Sequence, residues 1–89
     1  MMSAKIVLIC KPLRFYTNND EDLFFNWLKK IECIKNYEGV GNSLQLHITS
    51  KKISNNDLLE LFGLFDRYKF DSKQLAIFKN ESNKEWFDE

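Results

Sequence analysis

Eighty-nine residues, 44% hydrophobic and 29% charged with three Gly and one Pro, describe one globular domain over 1–89 and exclude a disordered chain. Thirteen basic side chains balance thirteen acidic ones, which argues against nucleic acid as a partner, because nonspecific binding needs a surplus of Lys and Arg to displace counterions. No apolar run nears the ~20 residues of a membrane-spanning helix, and two cysteines without a signal-peptide pattern are expected of a cytoplasmic chain with reduced thiols.

Ile6-Val7-Leu8-Ile9-Cys10 is apolar at every position, which suits a central strand buried on both faces. Pro12 ends it and opens a loop over Lys11–Thr17. Asn18, with Glu21 three residues on, forms a capping-box-like pair at the start of a helical pattern reaching Ile31. Its acidic first turn and basic Lys29-Lys30 end suit the helix dipole, and Phe24, Trp27, Leu28 and Ile31 make its inward stripe. Two short alternating runs, Cys33–Val40 and Ser43–Thr49, flank a hairpin turn at Gly39-Val40-Gly41-Asn42. In the second, Leu44, Leu46 and Ile48 face inward and Gln45, His47 and Thr49 face water.

Ser54 and Asp57 open a second helix over Asn55–Phe70, with Leu58, Leu61, Phe62 and Phe65 on its buried stripe. Gly63 inside it points to close packing against a neighbour, since Gly there costs ~1 kcal/mol relative to Ala. Gln74–Phe78 reads as a closing strand, with a short helix as the alternative, and Ser82–Glu89 starts a short C-terminal helix whose Trp86 and Phe87 need somewhere to dock. The order β-α-β-β-α-β predicts an α+β, ferredoxin-like fold. Its four-stranded antiparallel sheet has order 4-1-3-2, with the first strand central and both helices on one face. The expected core is Ile6, Leu8, Phe24, Trp27, Leu28, Ile31, Leu44, Leu46, Ile48, Leu58, Leu61, Phe62 and Phe65. The eight Phe, three Tyr and two Trp supply much of the apolar area a chain this short needs.

No catalytic set is visible, and the chain is read as a non-enzyme. His47 is the only imidazole available as a base for Cys10 or Cys33, and this topology puts it at the opposite end of the sheet from Cys10. The same separation opposes a disulfide between the cysteines. One histidine and no paired cysteines argue against a metal site, so neither metal nor cofactor is expected. Gly39-Val40-Gly41 joins two strands and is no phosphate loop. The wet face of the third strand carries Gln45, His47 and Thr49 rather than the aromatics that stack RNA bases. Arg14 lies in the first loop, which has no glycine to bring its backbone up to a phosphate.

Charge placement is more informative. The assumed topology gathers Asp20, Glu21, Asp22, Glu38, Asp66 and Asp71 toward the end holding the first loop, with Tyr37 and Tyr68 nearby. Lys11, Arg14, Arg67, Lys69 and Lys73 dilute that end, and Lys5, Lys29, Lys30, Lys51, Lys52 and Lys79 collect at the other. Carboxylates beside aromatics are what a protein inhibitor of a nucleic-acid-cleaving enzyme presents, because they mimic phosphate and steer association. The eight residues Asp20, Glu21, Asp22, Tyr37, Glu38, Asp66, Tyr68 and Asp71 are therefore the candidate interface.

Arg67-Tyr68-Lys69 before Asp71, then Gln74-Leu75, Phe78, Asn80 and Asn83-Lys84-Glu85-Trp86-Phe87, resemble the C-terminal part of small bacterial immunity proteins from contact-dependent growth inhibition systems. Phe15-Tyr16-Thr17 through Phe25-Asn26-Trp27-Leu28 fits more loosely. The resemblance implies a cytoplasmic antidote, monomeric or weakly dimeric when free, that binds one toxin domain, often a nuclease, and blocks its active site. The alternative is a small ligand-binding regulatory module of ferredoxin-like fold that dimerises through its sheet.

Overall fold

The computed structural model describes residues 6–50 and 52–87. Lys5 and Lys51, named above at the basic end, and the last two residues of the Ser82–Glu89 stretch lie outside the described residues. Strand β1 (Ile6–Cys10), helix α1 (Asn18–Lys30), strands β2 (Ile34–Val40) and β3 (Ser43–Ile48) and helix α2 (Asn55–Tyr68) follow in chain order. Two short 3₁₀ helices, Ser72–Phe78 and Lys84–Phe87, complete it. The result is a small α+β fold on a three-stranded antiparallel sheet of order β1-β3-β2. Among the described residues no helix is long and apolar enough to cross a membrane.

The expected fourth strand is a 3₁₀ helix, and the first strand is consequently an edge. Leu75 and Phe78 explain why. They stand three residues apart, a full turn of 3₁₀ helix, so both reach the core and both are buried. In a strand the two side chains would point to opposite faces and one would be lost to water. Asp71 starts the turn by accepting from the Lys73 N–H at 3.0 Å. Gln74 then stands in for the missing strand: its Oε1 accepts from the Ile9 N–H at 2.6 Å and its Nε2 donates to the Ile9 carbonyl at 2.8 Å. One amide thus satisfies both backbone groups of an edge residue. The unbroken apolarity of β1 overstated its burial, because Val7 on the outer face is 36% exposed.

The inner sheet face carries Ile6, Leu8 and Cys10 from β1 and Leu44, Leu46 and Ile48 from β3, all buried. Against it pack Phe24, Leu28 and Ile31 from the α1 side and Leu58, Leu61, Leu64 and Phe65 from α2. Of the expected core, Trp27 and Phe62 are only half-buried, whereas Leu64, Phe70, Leu75 and Phe78 join it. Trp27 instead bridges the helices, donating its Nε1–H to Glu60 Oε1 at 2.7 Å. A Cβ on Gly63 would sit 3.5 Å from the Trp27 ring, an ordinary contact, so tight packing does not require glycine there.

Caps also differ by small, explicable steps. Thr17, one residue earlier than expected, caps α1: its hydroxyl accepts from the Asp20 N–H at 3.0 Å. Ser54 caps α2 as expected, accepting from the Asp57 N–H at 3.1 Å. Asp57, however, does not reach back along its own helix. Its buried carboxylate accepts from the Cys33 N–H at 3.1 Å, tying α2 to the start of β2. The hairpin turns at Gly41 and Asn42, with Gly41 at a φ of +61° that glycine adopts without strain. Trp86 and Phe87 dock on Phe62, with ring centroids 6.4 and 5.1 Å away, and buried Asn83 holds that turn by donating to the Phe78 carbonyl at 3.0 Å.

Candidate interaction groove

The loop after β1 alternates between anchored and projecting side chains. Leu13 donates its N–H to the Asn42 carbonyl at 2.9 Å, fastening the loop to the hairpin turn. Phe15 turns inward, its ring 5.3 Å from Phe24 and 6.3 Å from Tyr68. Arg14 is therefore left outside, and Tyr16 is 97% exposed. The last turn of α2 faces this loop. Tyr68 is half-buried, edge-on to Phe24 at 4.9 Å, and the Arg67 guanidinium lies 6.0 Å from its ring. Lys69 follows in the left-handed conformation that ends the helix, φ 63°.

These elements enclose two joined clefts. The first, of about 630 Å³, is lined by Pro12, Arg14, Tyr16, Asp20, Arg67, Tyr68 and Lys69. The second, of about 460 Å³, runs between α1 and α2 beside Leu23, Asn26, Trp27, Lys30 and Glu60. Arg67 and Tyr68 line both, so the two clefts adjoin across these side chains. Leu23, 59% exposed, adds an apolar rim. Among the described residues Arg14, Arg67 and Lys69 form no ion pair; those present join His47 to Glu38 and Lys84 to Glu81. Asp20 is engaged locally, 3.4 Å from the Tyr16 N–H and 3.5 Å from the Tyr68 hydroxyl.

Of the eight residues proposed from sequence, only Asp20 and Tyr68 meet in this groove. Glu21 and Asp22 are exposed on the first turns of α1. Tyr37 sits at the far side of the aromatic cluster, 5.4 Å from Phe25. Glu38 is on the opposite sheet face, 3.8 Å from His47 Nε2. Asp66 lines a separate cleft with Lys73, Lys79 and the Trp86-Phe87 pair, and Asp71 caps the first 3₁₀ helix. The carboxylates are thus spread over separate surfaces, and the concave surface they were meant to form is cationic. Sequence reasoning missed Arg14, Tyr16, Leu23, Arg67 and Lys69 as a set. The available signal was Leu13 and Phe15 alternating with Arg14 and Tyr16, which marks two outward positions on the loop.

The thiols face the helices. Burial pushes the Cys10 thiol up to about 12, and burial, reinforced by the neighbouring Asp57 carboxylate, does the same at Cys33. Both thus stay protonated at neutral pH, where a thiol is a poor nucleophile. Cys10 pairs with Leu44 and points inward, whereas His47 alternates to the outer face, so the two cannot meet. Among the described residues no three or more His, Cys, Asp or Glu side chains converge as a metal site. Compared with known proteins, the chain matches no family model, no curated sequence and no solved structure.

Proposed function

We propose that this chain is a protein-binding antidote of the immunity type, acting in the cytoplasm without catalysis of its own, and that it neutralises a toxin domain by docking it in the groove between the first loop and the two helices. The observation that carries the reading is Tyr16, held 97% exposed by the anchored residues on either side of it, next to Arg67 and Tyr68. Tyr, Trp and Arg are the side chains that dominate binding energy at protein interfaces, especially where they flank a concave surface. An exposed tyrosine set on a pinned loop loses little conformational freedom on binding, which favours affinity.

The sheet offers less to a dimerising regulatory module. Among the described residues its outer face mixes Val7, Ile9 and Val40 with the Glu38–His47 pair and exposed Asn36, so polar and charged groups interrupt its apolar ones. The test is to express each reading frame adjacent to the one for this chain, and to co-express with this chain any that arrests growth. Growth should be restored, and the two proteins should purify as a stoichiometric complex. Failure to form that complex, with the chain folded, overturns the reading.

A further inference from the structure

We infer that the segment received by the groove is acidic: a stretch of the partner that carries carboxylates around one apolar side chain. The inference rests on the reading of the groove as a protein-docking surface, and it specifies what that surface selects. Four cations, Arg14, Lys30, Arg67 and Lys69, line the joined clefts against two carboxylates, Asp20 and Glu60. Both carboxylates already have partners, Asp20 on the Tyr16 N–H and Glu60 on the Trp27 indole. Arg14, Arg67 and Lys69 form no ion pair among the described residues. The groove therefore presents unneutralised donors, and Arg geometry favours bidentate carboxylate recognition.

Its extent argues for a chain segment rather than a single small anion. The second cleft lies beyond Arg67 and Tyr68 and is edged by Leu23 and Trp27, which suit an apolar anchor. A basic nuclease surface would be repelled here, so recognition runs opposite in sign to phosphate mimicry by an acidic inhibitor.

Selection of a random dodecapeptide library on the intact protein, followed by titration of selected peptides at low and moderate salt, tests this. Enrichment of Asp and Glu around one aromatic or aliphatic residue is expected. Binding should weaken with salt and fall about tenfold or more in the triple variant Arg14→Gln, Arg67→Gln, Lys69→Gln. All three side chains are exposed, so the variant should melt like the parent; should it unfold, the single Arg14→Gln on the loop carries the same test. Selection of basic or uncharged peptides, no selection at all, or undiminished binding by the variant overturns the inference. So does tighter binding of ATP at the same residues, which would make this a nucleotide site. A toxin complex indifferent to these substitutions defeats the inference and spares the antidote reading. Acidic peptides bound in the groove without any toxin complex do the reverse.

Discussion

At the residue scale, Asp57 does the most with one side chain. It is a buried carboxylate whose hydrogen bond crosses from α2 to the Cys33 N–H. Asp57→Ala leaves that buried donor unpaired and should cost about 1–3 kcal/mol in urea unfolding, whereas Asp57→Asn keeps an acceptor and should cost less. Equal losses would show that charge, not the hydrogen bond, matters there. The thiols set a pH limit of their own. Their folded values, about 12, lie above the ordinary 9.0, so the folded state holds protons that the unfolded chain releases. Their contribution is complete below pH 9 and is lost as pH rises toward 12. Melting temperature should therefore fall more steeply across that window in the parent than in Cys10→Ala, compared slope against slope. Parallel slopes would contradict the burial argument.

At the element scale, local signals identified elements well and misjudged what only tertiary packing decides. The α1 and α2 patterns, the Ser54 cap and the β2–β3 hairpin were legible because periodicity and caps are properties of neighbouring residues. The relative order β1-β3-β2 was legible too, as the expected order without its fourth member. Residues 74–78 were not, because a short apolar run fits a strand or a 3₁₀ turn equally, and the choice depends on Leu75 and Phe78 finding the same core. Gln74→Ala should uncap Ile9, accelerate its amide exchange and lower stability by about 1–3 kcal/mol. An unchanged Ile9 amide would mean that the edge is closed by something other than Gln74. Gly63 tests the opposite sign. With a Cβ finding only ordinary contact at Trp27, Gly63→Ala should stabilise α2 by up to about 1 kcal/mol through helix propensity and a less flexible unfolded chain. A destabilised variant would point to strain at the Trp27 ring.

At the scale of the whole molecule, the core covers one sheet face, and the loop, α1 and the end of α2 leave a groove on the helix side. Arg67 and Tyr68 were visible in sequence, but their partners Arg14 and Tyr16 lie some fifty residues away along the chain, so the set emerges only once the loop is pinned by Leu13 and Phe15. The acidic residues do not cluster, for the same reason in reverse: charges assigned to one end of a topology divide between its faces. Calorimetric titration of a toxin domain that co-expression with this chain neutralises, into the parent, Tyr16→Ala and Glu38→Lys proteins, bears most directly on the central claim. The parent and Glu38→Lys should bind alike, and Tyr16→Ala should bind about tenfold or more weakly with its melting temperature unchanged. Full affinity in Tyr16→Ala with binding lost in Glu38→Lys would contradict the groove and place the partner on the outer face of the sheet.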